Sequence, residues 1–150
     1  MDINIENMGI NTENMDAEMR RFLKSFMLHS SRICLYAEEE LNRKHNIAIN
    51  NSAKDALFRL SLKVKENPDK YSDLLLELMK SEDPKVRASA VIMCLHWFVH
   101  FDTAVEVGKA LLHTTEFKQA FLFNLNLALT IAAARREKKE LEQAALNSED

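Results

Sequence analysis

His96 and His100 stand four residues apart, the spacing that brings two imidazoles to one face of an α-helix, where they can grip a divalent metal. The zinc-protease pattern needs a glutamate directly after the first histidine; here Trp97 occupies that place, and Asp102 is the nearby carboxylate. The pair therefore reads as surface histidines, and His29, His45 and His113 are isolated. Nucleophilic chemistry needs a serine or cysteine with a base in reach and a third group to orient that base. Cys34 and Cys94 fall inside apolar helical stripes, where burial raises a thiol pKa and quenches reactivity, and no G-x-S-x-G elbow occurs. Glu38, Glu39 and Glu40 are consecutive, so they spread around a helix as a solvated face or a contact for a basic partner. No catalytic, cofactor-binding or metal-ligating residue is expected.

One stripe looks usable for binding. Lys85, Ser89, Ile92, His96 and His100 step by four, three, four and four, a mixed polar and apolar helix face. With Glu77 and Glu82 near its rim, and Glu38, Glu39 and Glu40 as an acidic contact, it forms the expected partner-binding surface. Trp97 belongs to a different stripe, Val86, Ala90, Met93 and Trp97, and is expected in the core rather than in a base-stacking groove.

Helices must position these residues. Glycine and proline occur only twice each in 150 residues, too few for hairpin turns or a phosphate-cradling loop. Asp16 can cap a first helix, whose stripe Met19, Leu23, Met27, Ser30, Cys34, Ala37 and Leu41 runs on at helical steps. Residues 42–51 form a polar connection or a helix start, and Ala53, Leu57, Leu60 and Val64 mark a second helix that Asn67-Pro68 stops. A third spans about 69–81. Asp83-Pro84 then restarts the chain: an acid that caps orphan N–H groups, and proline at the first helical position, where its missing donor costs nothing. The fourth helix, from Lys85 to about His100, is nearly all apolar, which predicts a central place covered on both flanks. Asp102 opens a fifth and Glu116 a sixth, whose extension after Arg135 is solvated and alternates in sign. The expected organisation is a flexible segment over residues 1–15, one helical domain over 16–146, and a frayed end over 147–150.

The run Leu74-Leu75-Leu76-Glu77-Leu78-Met79, followed by Asp83-Pro84-Lys85-Val86-Arg87 and then Ala90 and Leu95, resembles a HEAT repeat. The order of segments around it is similar to a bacterial family of small HEAT-like proteins. That resemblance implies an all-α, single-domain, right-handed α-α array of about six helices. It also implies that Arg87 reaches back over a turn and that second helices line a concave surface.

Charge and cysteine usage bound the function. Twenty Lys and Arg stand against 23 Asp and Glu, a formal charge of −3, without the basic excess that nucleic-acid binding requires. Residues 1–40 hold eight acids and four bases, so the acidity is N-terminal and favours a basic protein partner. Two cysteines sixty residues apart make no disulfide framework and read as buried, reduced thiols. The first fifteen residues lack a basic start and an apolar run, and the longest apolar stretch, residues 121–134, is shorter than the ~20 needed to span a bilayer. A cytoplasmic protein is expected, with no cofactor, no nucleic acid and no membrane partner. The function expected from these features is non-catalytic protein binding, and with the HEAT-like resemblance they imply an immunity-type inhibitor that neutralises a bacterial toxin by direct binding, its partner a basic toxin domain. The alternative is a scaffold or regulatory subunit of a larger complex.

Overall fold

The computed structural model describes residues 10, 12–36, 39, 43–114 and 116–148. Six α-helices follow one another: α1 (Ala17–Ser31), α2 (Arg43–Glu66), α3 (Pro68–Met79), α4 (Pro84–Trp97), α5 (Phe101–Leu111) and α6 (Gln119–Asn147). Among the described residues the one extended pairing is an isolated antiparallel bridge between Tyr36 and Phe117. The fold is all-α. No helix is long and apolar enough to cross a membrane, among the described residues.

The helix starts follow from local chemistry. Asp16 Oδ1 accepts the Met19 N–H at 2.8 Å, Asn67 Oδ1 accepts from Lys70 at 3.4 Å, and Asp83 Oδ1 accepts from Lys85 at 2.9 Å. Pro68 and Pro84 open α3 and α4. Arg87 reaches back over the α3–α4 turn, donating from Nη1 to the carbonyls of Ser81 at 2.9 Å and Glu82 at 3.2 Å. That guanidinium satisfies two carbonyls of the turn itself, which lie past the end of α3. Replacing Asp83 by alanine removes the cap, and urea denaturation should then report a loss of about 1 kcal/mol.

α4 is the hub. It packs against each of the other five helices. Val86, Ala88, Ala90, Val91, Cys94 and Leu95 are at most 2% exposed, so α4 is buried on several sides at once, as its nearly unbroken apolar sequence predicts. The small Ala88 and Ala90 let neighbouring backbones come close. Gly108 of α5 does the same from the other side: a methyl there would lie 3.1 Å from Leu129 Cδ2 and 3.3 Å from Val91 Cγ1, tighter than ordinary contact. The remaining core comes from Phe22, Leu23 and Phe26 of α1, Leu74, Leu75 and Leu78 of α3, and Phe121, Leu125 and Leu129 of α6.

Three boundaries differ from the sequence expectation. α1 stops at Ser31, where Arg32 caps it by donating its N–H to the carbonyls of His29 and Ser30. The apolar stripe continues, but Ile33, Cys34 and Leu35 leave the helix while remaining buried. Side chains from elsewhere hold their backbone: Asn50 Oδ1 accepts the Cys34 N–H, and Glu39 Oε1 accepts those of Leu35 and Tyr36, each at 2.9 Å. Ala37 and Leu41 lie outside the described residues.

α4 stops at Trp97, not near His100. Phe98 (φ 58°) and His100 (φ 45°) both adopt the left-handed conformation, which costs a side-chain-bearing residue roughly 1–2 kcal/mol. The Phe98 ring offsets this by stacking on Phe101 at 5.5 Å and lying beneath Arg135 and Lys139. α6 starts at Gln119 rather than Glu116, because Phe117 is held in the bridge with Tyr36 and the Lys118 N–H donates to Leu35 O at 2.7 Å. Conversely, the polar stretch before Ala53 is helical from Arg43 onward.

Most of residues 1–15 and the last two residues lie outside the described set. Thr12 and Met15 form a turn (Met15 N–H to Thr12 O, 3.2 Å), and both carbonyls accept from Arg20.

Candidate functional site

α2 and α6 both lie on α4 and form the walls of an open groove of about 520 Å³ above it. Ser89, Ile92, Met93 and His96 of α4 make its floor. Leu57, Phe58 and Ser61 belong to the α2 wall; Ala120, Phe121, Asn124 and Ala128 belong to the α6 wall; the extended segment Ile33, Cys34 and Leu35 lies at the end nearest the start of α6. The volume falls within the 300–1,000 Å³ range typical of binding clefts.

Several of these apolar side chains are unusually open to water. Phe58 is 52% exposed and Ile92 42%. On α6, Phe123, Leu127 and Ile131 step by four along one face and are between 46% and 68% exposed. Helical geometry places that face beside the one carrying Ala120, Asn124 and Ala128, so it forms the outer lip of the groove. The Phe58 ring meets His96 edge-on at 5.7 Å, and His96 meets Trp97 at 4.4 Å. The Ser89 hydroxyl is buried and has no hydrogen-bond partner among the described residues. It lines the groove, so it carries an unmet polar requirement that a ligand can satisfy.

Three members of the anticipated stripe, Ser89, Ile92 and His96, meet in this groove. The other two do not. The Lys85 ammonium is ion-paired with Glu39. His100 lies past the end of α4, where its Nε2 sits 2.8 Å from Ser72 Oγ and 3.1 Å from the Ser72 carbonyl oxygen. It therefore shares no helix face with His96, and the two imidazoles are not in metal-gripping register. Among the described residues no group of three or more His, Cys, Asp or Glu side chains could hold a metal ion.

Glu77 and Glu82 line a separate cavity of about 310 Å³ at the α3–α4 turn, together with Asp83 and Lys80. Glu38 and Glu40 lie outside the described residues. Trp97 is half-buried against the core, donates from Nε1 to Ser61 Oγ at 3.0 Å and carries Lys65 over its ring.

Sequence spacing gave no warning of the Ser72–His100 contact, because twenty-eight residues separate the two. A serine hydroxyl at that distance from an imidazole has the spacing of a nucleophile and its base. The carbonyl at 3.1 Å alters the reading. The Nε2 position fits an N–H donor to Ser72 O, which leaves it no lone pair for the serine proton. We read it as a tie between α3 and the strained α4–α5 turn. Of the thiols, Cys94 is pushed by burial to about 12, and Cys34 lines the groove; neither is in a disulfide.

Electrostatics give the fold a definite acid sensitivity. Burial, helped by Arg135, lowers the His96 pKa from its usual 6.5; burial, then Arg32 and Arg59, lowers that of His29. The unfolded chain therefore binds protons first as pH falls through 6.5, and stability declines with it. The carboxylates act lower down. Hydrogen bonds from Lys70 hold Asp16 and Glu18 below their usual values. For Glu39, burial raises the pKa, but the Lys85 ammonium and the N–H groups of Tyr36 and Leu35 outweigh it and the net direction is down. Their contributions are present above the unfolded values and vanish as pH falls through the folded ones. The urea midpoint should be flat between about pH 7.5 and 8.5, decline above about 9 as the Cys94 thiol ionises in the unfolded chain alone, decline below about 6.5 and fall further below about 4. Replacing His29 and His96 together by glutamine should remove the decline below about 6.5 and leave the others.

No family model, curated protein or solved structure matches this chain.

Proposed function

We propose that this protein is a non-catalytic binding protein whose groove over α4 receives an α-helix of a protein partner. The observation that carries this reading is the open apolar groove with Phe58 and Ile92 half-exposed inside it and Phe123, Leu127 and Ile131 along its lip. Exposed apolar patches of this kind mark interaction surfaces, and a helix-in-groove complex uses apolar anchors at i, i+3, i+4 and i+7. A groove of about 520 Å³ holds a row of such side chains rather than a whole helix, which is about 10–12 Å across.

Within that class our reading is an immunity-type inhibitor, cytoplasmic, that neutralises a bacterial toxin by direct binding; a scaffold or regulatory subunit is the alternative. We also read α3 and α4 as one HEAT-like pair. The Asp83 cap, Pro84 start and Arg87 return support that, although a linear array, in which each unit touches only its neighbours, has no helix that touches all the others as α4 does.

Co-expression with the product of an adjacent gene tests the inhibitor reading. Growth should be restored by the wild-type protein and not by Ile92→Asp, with a purified complex of nanomolar Kd or tighter. A harmless neighbour, or toxicity that this protein leaves unrelieved, would discard inhibition. Stable co-elution with a cellular complex, lost in the same variant, would favour the scaffold. Rescue or co-elution unaffected by Ile92→Asp would remove the groove from either role.

A further inference from the structure

The formal charge of −3 hides a division. α2, α4 and α6 carry twelve Lys and Arg against five Asp and Glu, while the rest of the chain holds eight against eighteen. The helices that build the groove are thus net +7, and the remainder is net −10. The division continues at the groove itself. Lys54 lines it, and no carboxylate does so among the described residues. Beyond the Ser61 end of the α2 wall, Lys65 lies over the Trp97 ring and Arg135 Nη1 donates to the His96 carbonyl at 2.9 Å, which sets two more cations near the floor. The glutamates of α6 come late, at 137, 140 and 142, beyond the part that walls the groove. Glu140 is paired with Arg136 and Glu142 faces Lys138. From Gln119 to Ala134 the helix carries no charge at all.

Building on the reading of the groove as a helix receptor, we infer that its occupant is an acidic amphipathic helix. Apolar side chains enter the cavity, and the carboxylates flanking them meet Lys54 midway along the α2 wall and Lys65 and Arg135 beyond its Ser61 end. From Ile47 to Ser61 the α2 wall is about 21 Å long at 1.5 Å per residue, enough for roughly fourteen residues of a docked helix. The charge averaged over the chain pointed instead to a basic partner. The acids behind that average lie elsewhere, as Glu77, Glu82 and Asp83 do at the second cavity. A nucleic acid would also meet the cations, and Phe58 offers one ring for stacking, but Ile47, Leu57, Ile92 and Met93 make the rest of the lining largely aliphatic, which suits apolar side chains better than a run of stacked bases.

Three synthetic helical peptides of about sixteen residues test this by fluorescence anisotropy on the full-length protein. They share one leucine face and differ only in flanks of glutamate, glutamine or lysine. The glutamate peptide should bind tightest and the lysine peptide weakest, at least about tenfold apart at low salt, with the gap narrowing as salt rises. Lys54→Glu should shrink or reverse the order, whereas Lys54→Arg should keep it. Equal binding of all three, or a preference for lysine, overturns the acidic occupant and leaves the helix receptor standing. If no peptide binds, the receptor reading falls and takes this inference with it. Displacement of the glutamate peptide by a single-stranded oligonucleotide, with a steep salt dependence, would reassign the cations to phosphate and also overturn it.

Discussion

Phe58→Asp should bind the glutamate-flanked helix roughly 30- to 1,000-fold more weakly than the wild-type protein, equivalent to about 2–4 kcal/mol. The size follows from where Phe58 stands. It is a large aromatic inside the groove, half-open to water and held edge-on against His96, so a docked helix would bury the exposed part of its ring. Aromatic anchors that become fully desolvated in a complex dominate its binding energy. The aspartate adds a charge that must then be buried beside the carboxylates of the helix, with no partner of its own. Stability should change far less, by about 0.5 kcal/mol, because the ring contributes little to the core of the free protein. Phe58→Leu separates the effects: it keeps the apolar surface, and most of the affinity should remain. Titration calorimetry alongside urea denaturation decides the matter. An unchanged affinity for Phe58→Asp would mean that the groove is not where the helix lands.

The second large effect concerns the fold. Phe22→Ala should cost about 3–5 kcal/mol and lower Tm by roughly 6–20 °C. Phe22 is 1% exposed, its ring lies 4.6 Å from that of Tyr71 and 6.2 Å from that of Phe26, and it joins α1 to α3. Truncation leaves a cavity at a place where both neighbours are rings locked by their own packing. Tyr71 also donates its hydroxyl to Glu18 at 3.3 Å, so it is held against collapse into the space. Against a total stability of about 5–15 kcal/mol, the variant would be close to unfolding. A loss below about 1 kcal/mol, measured by urea denaturation, would show that α1 is not docked on α3 in solution.

How much of this was legible beforehand depends on the range of the interaction concerned. Asp83-Pro84 was readable because a cap and a proline act within one turn of the chain. The central place of α4 was readable because a helix apolar on every side has to be covered on every side. Of the anticipated site, Ser89, Ile92 and His96 were readable as one face, since three or four residues of spacing is a local matter.

The misses share a cause. The stripe through Cys34 looked helical, yet it leaves the helix, because Asn50 and Glu39, distant in sequence or beyond the turn, satisfy its backbone better than another helical turn would. The end of α4 moved from His100 to Trp97 for a similar reason, with the Phe101 ring of α5 and the Arg135 guanidinium and Lys139 ammonium of α6 gathered over Phe98.

Sequence by itself determined that this chain is helical, where most helices begin and which of them is central, since capping, proline geometry and apolar periodicity operate between residues a few positions apart. Only the tertiary structure decided that α2 and α6 leave a gap over α4, that Lys54 and Lys65 of one and Arg135 of the other come to flank it, and that Lys85 and His100 turn away to partners elsewhere. The spacing between two packed helices depends on side chains from distant segments meeting at once, and a charge averaged along the chain cannot register which charges come to share one face.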